Sequence, residues 1–394
     1  MAIDLRMHAM NKSWLCMMGV LLLLLLQMGC NKNDKSNNTG GGPPAPDENP
    51  GLPAYISVSP QDTSDGWNVS TPDAEGVDSQ KLLAELQVIQ GGTYPKVDSV
   101  LVAKNGRLIA EAYFNGYGPD TLHDLRSASK SITSALTGIA VEQGVVSTED
   151  KLEYLVDLDK YKNRDARKAS IKVLDLLNMN SGLACDDWNA DSPGKEDNMY
   201  DAGDWVKFML DLPMVANPGA SQSSYCTGGV VLLGSLVASR TKMNLDDFAS
   251  QYLFTPLGIK NASWRRSPDG KATGGGGLRL RPRDLAKFGQ LYLNQGVWNG
   301  RQIVPSQWVE KSKQSMTTMI TSQSNGYGLL WWKRNFQVRG TTQEAFFASG
   351  NGGNFIFLFP QEQLAVAFTG SNYQSRLTDQ PFDILAQGIL PSLR

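Results

Sequence analysis

The chain predicts an α+β fold: an antiparallel sheet built from both ends of one domain, flanked by helices, with a mainly helical lobe inserted between them. Apolar, β-prone runs occur early in the domain at 99–104 and 107–114, and return near its end at 328–333, 355–359 and 364–368. Between 148 and 270 the periodicity is that of short helices joined by loops, with no strong strand. With 394 residues, 41% of them hydrophobic, the chain can bury a large core, and it shows neither an internal repeat nor a second core.

The amino end reads as an export signal. Arg6 and Lys12 accompany a nearly unbroken apolar run from Trp14 to Met28, which is short for a bilayer span. The run closes in Leu26-Gln27-Met28-Gly29-Cys30, which resembles the lipobox of bacterial lipoproteins except that Gln27 stands where leucine is usual. That resemblance makes 1–30 a lipoprotein signal peptide and Cys30 the lipidated first residue of the mature chain; a simply cleaved signal is the alternative. Residues 31–55, opening with a stretch of Asn, Gly, Pro, Lys and Asp, read as a flexible tether with a reach on the order of 25 to 30 Å. The folded domain is then 56–394, with a sheet lobe at about 70–127 and 276–394 and a helical lobe at about 128–275. The expected location is outside the cytoplasm, anchored to a membrane by lipid and facing the periplasm or the cell exterior.

Within the domain, Asn105-Gly106 between two β-prone runs is a two-residue hairpin signal. At 130–144 the period changes: Ile132, Leu136, Ile139 and Ala140 share one helical face, and Gly144 is a natural stop. Further helices are expected at 172–177, 205–212, 229–239 and 245–253. The Gly274 to Gly277 run reads as flexible, a helix follows at 282–293, and 355–359 and 364–368 pair as a hairpin turning at 360–363. A closing helix is expected at 379–390. Cys185 and Cys226 are the thiols left to the folded domain, in a compartment that permits disulfides; the sequence leaves open a bridge or two buried free cysteines.

The formal net charge is -2, and it becomes -3 once 1–30 are removed with Asp4, Arg6 and Lys12, so there is no electrostatic case for a nucleic-acid partner. Of the two histidines, His8 lies in the leader, which excludes histidine-rich zinc sites and leaves His123 as the one candidate histidine base. No G-x-S-x-G elbow occurs, and His123 reads as a packing residue. The other arrangement that activates a serine is Ser-x-x-Lys at a helix start, since residues three apart share a face and the amine then reaches the hydroxyl. Ser127-Ala128-Ser129-Lys130 fits. Ser192 to Lys195 and Ser239 to Lys242 have the same spacing, but the first contains the Pro193-Gly194 turn and the second ends a helix. Only Ser127 opens a long apolar helix, where desolvation disfavours the ammonium form and frees an amine to act as a base.

At these residues the chain resembles the serine β-lactamase and penicillin-binding-protein superfamily, in the branch holding AmpC-type β-lactamases, family VIII esterases and nylon-oligomer hydrolases. The resemblance runs from Trp67 to the end. It rests on Leu125-Arg126-Ser127-Ala128-Ser129-Lys130-Ser131, Met179-Asn180-Ser181-Gly182-Leu183, Asp284-Leu285-Ala286-Lys287-Phe288-Gly289 and Gly296-Val297-Trp298-Asn299-Gly300. The implied fold is β-lactamase/transpeptidase-like. The family's Tyr-x-Asn motif is matched by Tyr225-Cys226-Thr227, which keeps the tyrosine and not the asparagine, as nylon-oligomer hydrolases do. Its Lys-Thr-Gly or His-Thr-Gly motif is matched by Ala348-Ser349-Gly350, followed by Asn351, and the cation is missing. In the relatives that cation helps to bind a substrate carboxylate, so its loss points to an ester or a neutral amide. Arg279 or Arg281 is a candidate replacement, although solvated charge suits both.

The resemblance implies a serine hydrolase working through an acyl-enzyme, with Ser127 as nucleophile, Lys130 as general base, Tyr225 as proton relay and the backbone N–H groups of Ser127 and Asn351 as oxyanion hole. It implies no metal and no organic cofactor. Thr227, Ser349, Gly350 and Trp188 would contact a small ester, amide or β-lactam substrate, and Trp331, Trp332 and Tyr327 with Trp188 could line an apolar acyl pocket. The alternatives are a β-lactamase, a D-amino-acid carboxypeptidase, or a penicillin-sensing lipoprotein that acylates without turnover. No obligate protein partner is evident.

Overall fold

The computed structural model describes residues 49–394 apart from Gln222, Ser315, Thr318, Ile320 and Ser322. The signal peptide, Cys30 and the tether up to residue 48 lie outside the described residues.

The folded part begins earlier than residue 56. Leu52 N–H donates to Gly116 O (2.8 Å) and Asn49 Nδ2 donates to Asn115 O (2.7 Å), so the last residues assigned to the tether are already pinned. The strands that follow are β1 (Tyr55–Ser57), β2 (Asn68–Val69), β3 (Val97–Lys104) and β4 (Arg107–Tyr113). β3 and β4 form the expected hairpin, with Asn105 and Gly106 both at positive φ, the conformation a two-residue turn between twisted strands requires. β5 (His123–Asp124) leads into the Ser129–Glu142 helix. After the helical lobe come β6 (Ser263–Trp264) and β7 (Leu278–Leu280), then the Pro282–Leu293 helix, expected with those bounds, and the small pair β8 (Val297–Trp298) and β9 (Arg301–Gln302). The chain closes its sheet with β10 (Gly326–Gly328), β11 (Trp331–Val338), β12 (Thr341–Gly350), β13 (Asn354–Phe359) and β14 (Leu364–Gly370).

The main sheet runs β1-β4-β3-β14-β13-β12-β11-β10, so strands from the two chain ends meet at β3 and β14. Its pairs are antiparallel except β2 with β4. Strands β3, β13 and β14 are buried almost throughout, because both faces are covered. The Pro282–Leu293 helix lies across them on one face, where Phe288 meets Trp331. On the other, Phe382 of the Gln380–Ile384 helix sits among Phe336, Phe347, Phe355 and Phe357 at centroid distances of 5.0 to 6.2 Å. This is the α+β sheet with flanking helices that the pattern implied.

Three expectations change in detail. β12 is a full strand that the pattern did not show, because its first half, Thr341-Thr342-Gln343-Glu344, is polar and mostly exposed and hides the period-2 signal. β11 extends to Val338, through the alternating Asn335-Phe336-Gln337-Val338. The closing helix is α-helical only at Gln380–Ile384 and passes through a π-helical stretch, Leu385–Ile389, to a 3₁₀ turn at Leu390–Ser392; Pro391 has no N–H with which to continue an α-helical ladder. In the helical lobe, Ser129–Glu142 is buried along nearly its whole length and packs on the equally apolar Thr227–Thr241 helix. Among the described residues no helix is long and apolar enough to cross a membrane.

Candidate active site

Ser127 sits in a 3₁₀ turn, Arg126–Ala128, that runs directly into the Ser129–Glu142 helix. Arg126 is held at φ 51°, a left-handed conformation that costs a non-glycine residue energy. Asp124 holds it there: its Oδ1 accepts the Arg126 N–H (2.8 Å), its carboxylate pairs with the guanidinium (3.3 Å), and the guanidinium lies 4.3 Å from the Tyr373 ring centre. The turn leaves Ser127 half-buried and places Lys130, 2% exposed, beneath it. Lys130 Nζ donates to Ser127 Oγ at 2.8 Å and to Gly275 O at 2.6 Å. The other two Ser-x-x-Lys copies make no such pair: Lys195 Nζ turns to Ala190 O (2.7 Å), and Ser239 and Lys242 are both exposed. His123 is fully buried with its ring 4.4 Å from that of Tyr117.

The glycine run at 274–277 is not a loose linker. Gly274 O accepts from Thr133 Oγ1 (2.7 Å) and Gly275 O from Lys130, so the run is a strap that threads between the two central helices of the lobe. A Cβ at Gly275 would lie 2.9 Å from both Thr227 O and Thr227 Cγ2 and 2.8 Å from Val231 Cγ2. Glycine is there for close approach. The strap is anchored by β7, which pairs with β5 just before Ser127, and Leu125 N–H donates to Leu278 O (3.0 Å). Serine, lysine and the carbonyl that orients the lysine are thus fixed by one small sheet.

Tyr225 lies on the far side of Lys130, whose Nζ is 5.1 Å from the phenol ring centre. Cys226 caps the Thr227–Thr241 helix and is bridged to Cys185, with Cα atoms 5.5 Å apart; of the two states left open by the sequence, the thiols take the disulfide. The bridge draws the 185–188 segment over Tyr225. Trp188 stacks flat on the phenol at 5.1 Å and near Trp332 at 6.2 Å, while Tyr327 meets Trp332 edge-on at 4.5 Å. Trp331 is not part of this wall. Neighbours along a strand face opposite ways, and Trp331 packs in the core on Tyr292 and Phe346.

Asp187 was not singled out in the sequence. It accepts the Thr227 N–H on Oδ2 (2.7 Å) and the Glu196 N–H on Oδ1 (2.9 Å), and its own N–H donates to Tyr225 O (2.8 Å). Burial pushes its carboxyl up to about 6, against the opposing pull of the Lys130 charge. The one available signal was its place two residues from Cys185. Thr227 is buried at the start of its helix, next to Asp187.

The third wall is the end of β12. Gly350 abuts the Arg126–Ala128 turn so closely that a Cβ would run into the Leu125 carbonyl, which makes glycine obligatory there. Ala348 is buried and Ser349 half-buried. Asn351 is exposed, its Oδ1 accepts the Gln374 N–H (3.0 Å), and it shares with Ser127 the lining of a cavity of about 330 Å³. Arg126, Arg265, Glu196 and Asp201 also line that cavity. Neither arginine suggested as a replacement cation does. Arg281 pairs with Asp284 (2.7 Å) and Asp120 (3.1 Å), and Arg279 lies in β7 opposite Asp124 and Ser263.

A buried lysine bonded to a serine three residues before it, a tyrosine across the amine and a strand end against the serine make up the site arrangement of a hydrolase class, and the beta-lactamase family model matches residues 90–387; the chain belongs to the beta-lactamase family. It is 27% identical over 259 residues to the 6-aminohexanoate-dimer hydrolase of Paenarthrobacter ureafaciens, a match covering 60% of this chain and 64% of that protein, just under two thirds of the relative's length. Among solved structures it resembles the octameric penicillin-binding protein homologue from Pyrococcus abyssi (19% identity, TM-score 0.59, 80% of this chain and 78% of that one). It also resembles a class C beta lactamase from Rhodobacter sphaeroides (18% identity, TM-score 0.57, 78% and 99%). At these identities the two structural likenesses are likenesses of fold.

Proposed function

We propose that the protein is a serine hydrolase that cleaves a small ester or amide through an acyl-enzyme on Ser127. The observation that carries this is the 2.8 Å bond from Lys130 Nζ to Ser127 Oγ, made by a lysine only 2% exposed with Gly275 O fixing the amine. Lys130 takes the hydroxyl proton as Ser127 Oγ attacks the carbonyl carbon, and Tyr225 passes a proton to the leaving oxygen or nitrogen. The oxyanion lies between the N–H groups of Ser127 and Asn351, each worth about 10²- to 10³-fold in rate. Water then attacks the acyl carbon, with Tyr225 or Lys130 as base, and releases Ser127. Alanine at 348 in place of the relatives' cation, and the aromatic wall of Trp188, Trp332 and Tyr327, favour an uncharged acyl group over a carboxylate-bearing β-lactam. The relative named for hydrolysing the 6-aminohexanoate dimer supports an open-chain amide as the kind of bond cleaved. The Cys185–Cys226 bridge supports export to an oxidising compartment, and we propose that Cys30 carries the lipid anchor there.

Turnover of short-chain p-nitrophenyl esters and of nitrocefin by the purified protein, with Ser127→Ala and Lys130→Ala, tests the reading. Ester hydrolysis is expected to need both residues, with Lys130→Ala slowing acylation by about 10²- to 10⁴-fold. Full turnover by Lys130→Ala would remove the lysine from the mechanism, and efficient nitrocefin cleavage would make the protein a β-lactamase. Lasting Ser127 acylation without turnover would make it a sensor.

A further inference from the structure

Asp187 is a half-buried acidic group beside Tyr225, and the acyl-transfer scheme above does not use it. Its two carboxylate oxygens are both committed as acceptors, one to the first N–H of the Thr227–Thr241 helix and one to the first N–H of the Glu196–Tyr200 helix. Its own N–H holds the Tyr225 carbonyl, and the disulfide two residues away closes the same loop onto Cys226. One residue therefore holds the backbone from the Tyr225 carbonyl to the Thr227 N–H, the stretch that follows the phenol. Among the described residues, the charged and titratable groups around the carboxylate are Lys130 on the Ser129–Glu142 helix and Glu196 and Tyr200 on the Glu196–Tyr200 helix.

We infer that Asp187 is a positioning residue for Tyr225: its carboxylate pins the Tyr225-Cys226-Thr227 segment, and uptake of one proton releases the pin and slows turnover. The inference rests on the acyl-transfer reading. The geometry gives the reason. An N–H faces each carboxylate oxygen, so a proton added to either oxygen removes the charge that strengthens both bonds and leaves one of them to a poorly accepting hydroxyl oxygen. Asparagine at 187 is likewise uncharged and sets an NH₂ group against one of the N–H donors, so Asp187→Asn holds the segment no better than the protonated acid does at any pH. Burial brings the event into the working range, near pH 6. Lys130 is pinned separately, by Gly275 O and Ser127 Oγ, so Ser127 stays paired when Tyr225 loosens.

The test is kcat and KM for a p-nitrophenyl ester between pH 5 and 8 in the wild type, Asp187→Asn and Thr227→Pro. The wild type is expected to lose about 10- to 100-fold in kcat through a step near pH 6, the cost of a misplaced catalytic group. Asp187→Asn is expected to lack that step and to run near the wild type's acid-side level, with KM little changed. Thr227→Pro removes one of the two N–H donors at a first helical position that tolerates proline, so the step is expected at higher pH. A wild-type kcat that is level from pH 8 to 5, or an Asp187→Asn profile matching the wild type, would overturn the inference and leave the acyl-transfer reading standing. Absence of Ser127-dependent hydrolysis in the wild type would overturn both.

Discussion

Trp188 lies flat on Tyr225, with ring centres 5.1 Å apart and planes within 4° of each other, yet the tryptophan is 59% exposed. An exposed aromatic held parallel to a buried phenol presents its outer surface to whatever enters the site, and stacking on such a surface is worth about 0.5 to 1.5 kcal/mol. Trp188→Ala is expected to raise KM for aromatic acyl esters by about 3- to 10-fold relative to acetyl esters. Labelling of Ser127 by a fluorophosphonate should persist, because Lys130 and Gly275 are untouched. Equal KM changes for acetyl and aromatic esters would show that Trp188 does not contact the acyl group.

The disulfide joins the residue that caps the Thr227–Thr241 helix to a loop 41 residues earlier. Closing a loop of that size restricts the unfolded chain, and the typical gain is about 2 to 4 kcal/mol. Replacing Cys185 and Cys226 together by serine is expected to lower the unfolding free energy in urea by that amount. It should also lower kcat, since Cys226 adjoins Tyr225 and Cys185 carries the loop that holds Asp187 and Trp188. A double variant as stable and as active as the wild type would show that the two hydrogen bonds of Asp187 suffice to hold the loop.

What the sequence made legible was whatever depends on local pattern. The Asn105-Gly106 hairpin, the Ser129–Glu142 helix and the Pro282–Leu293 helix follow from turn chemistry and periodicity, which act over a few residues. Ser127 and Lys130 were legible because they are three apart on one helical stretch. Gly275 and Asp187 were not, because their roles come from partners about 145 and 40 residues away. The glycine run looked flexible for want of side chains, although the lack of side chains is what lets it pack against Thr227 and Val231. β12 was hidden by its polar outer half, and only its last three residues could be placed, by resemblance.

Asp187 also links the site to stability. Its carboxyl is raised to about 6 in the folded chain, against an ordinary value near 4 for an exposed aspartate in the unfolded one. The folded state therefore binds the proton more tightly between those two values, and stability contributed by this group rises as pH falls through 6 and is lost again above it. Keeping Asp187 ionised at neutral pH costs about 3 kcal/mol on this reckoning, of which about 1 kcal/mol is recovered between pH 7 and 5. Urea unfolding of the wild type and of Asp187→Asn at pH 7 and pH 5 isolates the effect, because other titrating groups are common to both. The wild type is expected to gain about 1 kcal/mol on the variant in going to pH 5. If instead it loses ground on acidification, the carboxylate is a net stabiliser and its pKa is not raised. The activity argued above moves the other way over the same interval, so the ionised form that costs folding energy is the form that holds Tyr225 in place.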